Sequence, residues 1–318
     1  MHIAGGAVTQ IKTASFSFRI KPLESMLLPS YKGSTLRGGF GHAFRRVVCA
    51  IKSRECTDCL LKEKCVYSYI FETPPPADTE IMRKYKAAPH PFVIEPPSEQ
   101  RRNYGQGNEL IFGLTLIGRA IDYLPYFIYA FDELGRIGLG KGKAKFELGD
   151  VSCNEETIYD SETKTLETFK TGILPLEPDL LNNRTDNSKL ITLSFLTPTR
   201  IVYNGHLTLE LEFHILIRNL LRRLSLLYYF HCGGNPSEWD FSGIIKKAEG
   251  VKVSVRRLRW HDWERYSARQ DTRMKMGGFV GEIIFEGDIE PFMDLIRAGE
   301  VLHVGKGTGF GLGRYEIR

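Results

Sequence analysis

Glycine occupies every second position from Gly305 to Gly313 in GKGTGFGLGRYEI, and a second glycine run, GRIGLGKGKAKFEL, spans Gly135 to Leu148. Glycine weakens a strand interior, so its repetition signals backbone with positive φ or a very close approach by another group. Gly138-Leu139-Gly140-Lys141 aligns with Gly311-Leu312-Gly313-Arg314, and the strand-like Phe146-Glu147-Leu148 with Tyr315-Glu316-Ile317. Each run closes a segment that opens in the same way. The first segment has alternating Phe16, Phe18 and Ile20 ahead of a helical run from about Ser34 to Val48. The second has Ile191, Leu193 and Phe195 ahead of one from about Leu209 to Tyr229, in which Phe213, Leu216, Ile217, Leu220, Leu221, Leu224 and Tyr228 make a buried stripe and Arg218, Arg222 and Arg223 fall on or beside the opposite, solvated face. Two copies of one strand-helix-strand plan are the simplest origin of this pattern.

A repeat of this size that mixes strands with a few helices and ends in a strand fits a ferredoxin-like (RRM-like) βαββαβ unit. The expected fold is α+β: one such domain over residues 1–150 with a cysteine-rich insertion at 49–65, a polar linker over 151–188, and a second over 189–318. A length of 318 residues accommodates two domains, and 42% hydrophobic content is that of a folded chain. No apolar run approaches the ~20 residues of a membrane span. The opening MHIAGGAVTQIK lacks a basic, then apolar, secretion signal, so a cytoplasmic location and no membrane partner are expected.

The net charge of +5 is concentrated in KVSVRRLRWHDWERYSARQDTRMK, where Arg256, Arg257, Arg259, Arg265, Arg269, Arg273 and Lys275 are interleaved with Trp260, Trp263 and Tyr266. Guanidinium groups pair with phosphates and aromatic rings stack on bases, a mixture suited to RNA. The alternative is a solvated hairpin with snorkelling arginines. In STLRGGFGHAFRRVVC, Leu36, Phe40, Ala43, Phe44, Val47 and Val48 form a buried stripe. His42 falls off that stripe, with Gly38 and Gly39 about a turn before it and Arg45 and Arg46 a turn after, and Arg37 precedes the glycines. A histidine titrates near neutral pH, so one on an exposed basic face is placed for proton transfer beside a phosphate. An exposed, inert histidine is the competing reading.

Cys49, Cys56, Cys59 and Cys65 follow the helix in a C-x6-C-x2-C-x5-C arrangement. Four thiols this close in a cytosolic chain point to metal ligands, with free cysteines or disulfides as the alternative. RECTDCLLKEKCVY is similar to the iron–sulfur loop of the endonuclease III and adenine-glycosylase repair family. That resemblance covers only this stretch, without the helix-hairpin-helix and catalytic Asp of those enzymes. It implies a structural 4Fe–4S cluster, with zinc as the alternative. The phosphate-binding loop GxxxxGK[ST] does not occur.

LRGGFGHAFRRVVC, the cysteine loop, PHPFVIEPP, RYSARQ followed by KMGGFVGEIIFEG, and LHVGKGTGFGLGRYEI together resemble the CRISPR-associated precursor-crRNA processing endoribonuclease family. That family lies within the repeat-associated mysterious protein (RAMP) superfamily, whose hallmark is the C-terminal glycine-rich loop. The resemblance implies two ferredoxin-like domains side by side that cut CRISPR repeat RNA without a catalytic metal. In that reaction the 2′-hydroxyl attacks the adjacent phosphate, leaving a 2′,3′-cyclic phosphate and a 5′-hydroxyl. It transfers the catalytic histidine onto His42, with His231, His261 and His303 as competitors, and makes Tyr31 and Lys32 candidates for orienting or protonating the leaving group. Lys141 and Lys143, with Gly305, Lys306, Gly307, Gly309, Gly311, Gly313 and Arg314, would grip the RNA backbone alongside Arg37, Arg45 and Arg46. Subunits of a CRISPR effector complex are implied as further partners, and a non-catalytic RNA-binding RAMP subunit is the alternative function.

Overall fold

The computed structural model describes residues 9–52, 55–75, 79, 87–176, 190–267 and 272–318. The chain divides into two compact units: residues 13–172 with 309–311, and residues 1–12, 173–308 and 312–318. Each is a mixed α+β unit built on an antiparallel sheet.

The first unit contains β1 (Gln10–Pro22), α1 (Gly33–Val48), β2 (Phe92–Glu95), β3 (Leu110–Ile117), α2 (Leu124–Ile137) and β4 (Phe146–Cys153), then β5 (Glu156–Asp160) and β6 (Thr165–Leu166). Its sheet runs β2-β3-β1-β4-β5-β6. The alternation of β1 turns Phe16, Phe18 and Ile20 inward, with Phe18 opposite Phe112 of β3. Both helices cover that face. Phe40 of α1 stacks at 4.9 Å on both Phe127 and Phe131 of α2, and Phe131 lies 5.1 Å from Phe18.

The second unit contains β7 (Leu190–Thr199), α3 (Phe213–Cys232), α4 (Phe241–Ala248), β8 (Lys252–His261), β9 (Glu264–Ser267), β10 (Thr272–Lys275), β11 (Gly278–Glu286), α5 (Met293–Leu302) and β12 (Tyr315–Ile317). Its sheet runs β8-β11-β7-β12, and β9 and β10 pair with each other between β8 and β11. Phe195 of β7 packs at 5.0 Å from Phe279 and 5.6 Å from Tyr315. Phe213 of α3 meets Phe285 at 5.0 Å and Phe292 at 5.1 Å.

In both units the strand between the two helices' crossovers follows one rule: the first strand lies centrally, flanked by the third and the last, with the second strand beyond the third. The glycine runs fall at equivalent places, each joining the second crossover helix to the last of these four strands. That equivalence is why the two runs echo each other in sequence.

The segment 151–188, expected as a linker with some strand content, is sheet in its first part: it completes β4 and forms β5 and β6, pairing Val151 with Tyr159 and Asp160 with Thr165. Its polar look comes from sheet-margin strands that leave Glu156, Thr165 and Leu166 exposed; residues 177–188 lie outside the described ones. The C-terminal glycine run has both of the features its repetition signals, positive φ and close approach. Gly305, Gly307, Gly311 and Gly313 all have positive φ, and Thr308–Phe310 is a 3-10 turn.

Candidate functional site

Helix α1 sets out the candidate chemistry. Gly39 and Gly41 lie against neighbouring side chains: an added Cβ would stand 3.0 Å from Leu134 at the first and 2.7 Å from Phe71 at the second. Gly38 is exposed, with open space where a side chain would begin. His42, one turn on, is also exposed. The glycine gap expected before His42 is therefore half real, open at Gly38 and filled at Gly39. Arg46 is exposed and its Nε pairs with Glu133 at 2.9 Å. Arg45 is half-buried, hydrogen-bonded to the Cys49 side chain and 5.9 Å from the Tyr67 ring centre.

Tyr31 and Lys32 do not join His42. Lys32 is the N-cap residue of α1, and nine residues at ~1.5 Å rise separate Gly33 from His42 by about 14 Å along the axis. Lys32 is fully buried, its Nζ donating to the carbonyls of Ser30 at 3.2 Å and Glu99 at 2.8 Å. Burial lowers its pKa, against the opposing charge of Glu99. The Tyr31 hydroxyl donates to the Phe310 carbonyl at 2.8 Å, and burial pushes its pKa well above the ordinary tyrosine range. Proximity in sequence to α1 put both at the helix start, where their polar groups are already engaged.

The tripeptide Gly309–Gly311 packs on that same helix start. A Cβ at Gly33 would stand 1.9 Å from the Phe310 carbonyl oxygen, and one at Gly311 2.6 Å from that of Ile94. The Arg37 guanidinium lies 4.4 Å from the Phe310 ring centre, and its Nη2 meets His90 Nε2 at 2.8 Å. Sequence reasoning missed Phe310 and His90. The one large ring among the alternating glycines, and the PHPF stretch, were the available signals. In the second unit a Cβ at Gly305 would meet the Arg200 carbonyl at 2.6 Å and one at Gly313 that of Val304 at 1.8 Å. The bare positions thus admit the chain's own carbonyls. Lys306, Lys141 and Lys143 are exposed, while Arg314 is half-buried with Nη2 3.6 Å from Glu316.

On β8, Arg257 and Arg259 are exposed, as are Trp260 and, on β10, Lys275. Arg256 differs. It is paired with Glu210 and, at 2.5 Å, with Glu212. Arg269 lies outside the described residues, as do the side chains of Arg265 and Arg273. Among the competing histidines, His231 and His303 are buried and His261 is exposed at the end of β8. His303 Nδ1 meets the Leu312 carbonyl at 3.1 Å, and burial, aided by the Arg223 charge, pulls its pKa down to about 3. Arg223, read from sequence beside a solvated face, is buried and donates from Nε to Leu302 O at 2.8 Å. Helix α3 is covered nearly all round, so its arginine must find a carbonyl inside.

Cys49 caps α1, Cys56 opens a 3-10 turn at Cys56–Asp58, Cys59 closes it, and Cys65 precedes the next helical turn. Burial raises the Cys56 thiol pKa, and Glu72, Cys49 and Cys65 act on it in the same sense against Arg45. Three of the thiols therefore share one electrostatic neighbourhood. Among the described residues no three His, Cys, Asp or Glu side chains stand in a metal-holding group. The donor types fit a thiolate centre.

Residues 11–171 match the family model of an N-terminal domain, AF_1859_N, and residues 193–315 match that of the CRISPR-associated endoribonuclease Cas6. An uncharacterized protein of Archaeoglobus fulgidus is 27% identical, over 96% of this chain and 99% of its own. The chain is similar in fold to the Cas6 (TTHB231) product complex, with a TM-score of 0.57 at 17% identity over 96% of this chain and 99% of that one. It is also similar to Thermus thermophilus Cas6 (TTHB231), with a TM-score of 0.54 at 16% identity over 99% and 100%. By the match over half its length, residues 11–171, the chain belongs to the family defined by the AF_1859_N N-terminal domain, and its second half, residues 193–315, matches the CRISPR-associated endoribonuclease Cas6.

Proposed function

We propose that this protein cuts CRISPR repeat RNA within precursor transcripts, using the RNA's own 2′-hydroxyl and no catalytic metal, on a tandem pair of ferredoxin-like domains. The carrying observation is His42: exposed, one turn from the open Gly38, on the first helix of a chain whose second half matches Cas6. The 2′-oxygen forms a bond to phosphorus as the bond to the 5′-oxygen breaks, giving the 2′,3′-cyclic phosphate and a 5′-hydroxyl. His42 transfers a proton in this exchange, from the 2′-oxygen or to the 5′-oxygen. The exposed Lys141, Lys143, Arg257, Arg259, Lys275 and Lys306 supply phosphate contacts within their own units. Cytoplasmic CRISPR repeat RNA is the partner this role requires, and subunits of a CRISPR effector complex are further candidates. No helix among the described residues is long and apolar enough to cross a membrane.

The test is incubation of purified protein with labelled repeat RNA in EDTA, beside RNA with a 2′-deoxy nucleotide at the cut site. One discrete cut, lost with the deoxy substitution, is expected; a cut that survives it rules out this chemistry. The distance of Tyr31 and Lys32 from His42 favours a second reading, a non-catalytic RNA-binding RAMP subunit, which tight binding without product would establish. We infer also that Cys49, Cys56, Cys59 and Cys65 hold a structural 4Fe–4S cluster, or zinc in its place, supported by the four-thiol donor set and the shared neighbourhood of three of them. Such a centre would tie the loop after α1 together and supply no step of the cleavage. Iron, sulfide and zinc analysis of anaerobically purified protein decides between the metals, and a metal-free, fully folded protein removes both.

A further inference from the structure

A row of tyrosines runs along the exposed face of α2 in the first unit. Tyr123, Tyr126 and Tyr129 recur every third residue through the 3-10 turn Gly118–Tyr123 and α2, so successive members are neighbours on the helix surface. Tyr126 is 44% exposed and Tyr129 52% exposed. The ring centres of Tyr69 and Tyr123 are 5.8 Å apart and those of Tyr123 and Tyr126 6.1 Å, while the Arg119 guanidinium sits 4.1 Å from the Tyr69 ring centre. At the far end Tyr129 and Tyr159 line a cleft of about 260 Å³ together with Ile128, Asp132, Arg136, Lys164 and Leu166.

The carboxylates beside this row are paired: Asp132 with Arg136 at 2.5 Å, and Glu133 with Arg46 at 2.9 Å and Arg136 at 3.3 Å. Arg119, Arg136 and Lys164 border the rings, and the chain as a whole is net positive. The exposed aromatic surface is a narrow line and not the broad patch of ~800 Å² per partner that a stable protein interface buries. Aromatic platforms alternating with cations bind single-stranded nucleic acid, because every base has a face to stack and every linkage a phosphate to pair.

We propose that the tyrosine row of α2 is a stacking track for single-stranded RNA, with bases on Tyr126 and Tyr129, one base in the cleft, and phosphates on Arg119 and Lys164. This rests on the reading of the chain as an RNA-processing enzyme and adds an RNA-contacting surface on α2 to the His42 site of α1. Stacking is sequence-tolerant, so the track takes the unpaired stretch of a transcript whatever its bases.

The experiment measures binding of a fluorescent short oligouridine and of repeat RNA to wild type, to Tyr126→Ala with Tyr129→Ala, and to Tyr126→Phe with Tyr129→Phe. Both side chains are exposed, so neither pair disturbs the core. The alanine pair should weaken oligouridine binding ~10-fold or more, at ~1–3 kcal/mol per stacked base, and the phenylalanine pair should retain it. An oligouridine carrying 5-iodouridine should photocross-link to the peptide spanning Leu124–Ile137. Wild-type affinity in the alanine pair, or cross-links only elsewhere, overturns the track and leaves this face to a protein partner. A wild-type protein that binds neither RNA overturns the functional reading as well.

Discussion

The Arg37 guanidinium lies 4.4 Å from the centre of the Phe310 ring, closer than to Phe71 at 5.1 Å or Phe92 at 6.0 Å. One arginine of the first helix is thus held among three rings, and the tip of the glycine run is one wall of that enclosure. Its charge, read from sequence as available to RNA, is used inside the first unit. Arg37→Ala and Phe310→Ala should couple in a double-mutant cycle by ~0.5–2 kcal/mol, measured by urea unfolding. Additive effects would show that the two side chains touch without stabilising each other.

The glycines of the C-terminal run should differ sharply from those that face open space. Gly313 has a φ of 77° and its added Cβ would stand 1.8 Å from the Val304 carbonyl, whereas Gly142 has nothing within 4 Å. Gly313→Ala should cost ~1–3 kcal/mol and Gly142→Ala less than ~0.5 kcal/mol. Thermal and urea midpoints of the two variants provide the check. Equal effects would mean that the run relaxes freely.

The glycine echo made the duplication legible, because the aligned Gly138 and Gly311 meet the same demand: each has positive φ and a carbonyl, of Lys143 at 1.9 Å or Ile94 at 2.6 Å, close to where a Cβ would sit. The buried stripes of α1 and α3 were legible for the usual reason, that 3.6-residue periodicity survives in composition. What failed was any inference that needed to know what packs where. Arg223 looks solvated until α3 is seen to be covered on nearly every side. Lys32 looks available until Ser30 and Glu99 are found to offer it carbonyls. The strands β5 and β6 look like linker because a sheet margin carries polar side chains whether or not it is paired.

Buried, neutral His303 should make stability depend on pH. Its folded pKa of about 3 lies below the ordinary 6.5, so below pH ~6.5 the unfolded chain binds a proton that the folded chain does not. Stability therefore falls as the pH drops from ~6.5 towards 3, by ~1.4 kcal/mol per unit. His303→Asn keeps a residue that tolerates the positive φ of 61° and can donate to Leu312, but removes the titration. Between pH 7 and pH 5 this variant should lose ~2 kcal/mol less than wild type in urea titrations. Parallel losses would place the acid sensitivity elsewhere.

Neighbouring arginines of β8 should behave as different kinds of residue. Arg257 and Arg259 are exposed, so Arg257→Ala with Arg259→Ala should weaken RNA binding and flatten its salt dependence by ~0.7 per lost phosphate contact. Arg256 is tied to Glu210 and Glu212, so Arg256→Ala should lower the unfolding midpoint and leave the salt slope intact. Binding isotherms at several salt concentrations separate the two, and a slope unchanged by the first pair would return β8 to a solvated hairpin.

His42 is the last and most direct test, because its side chain contributes nothing to the core that a variant would disturb. His42→Ala should fold with a wild-type midpoint and bind repeat RNA within severalfold of wild type. Its single-turnover cleavage rate should fall ~10²–10⁴-fold, the scale of a lost proton-transfer group. His261→Ala provides the comparison, since His261 is exposed as well but sits at the end of β8 in the other unit. A rate that falls with His261 and not with His42 would move the chemistry to the second unit. A rate that falls with neither would leave the Cas6-type fold here as an RNA-binding scaffold.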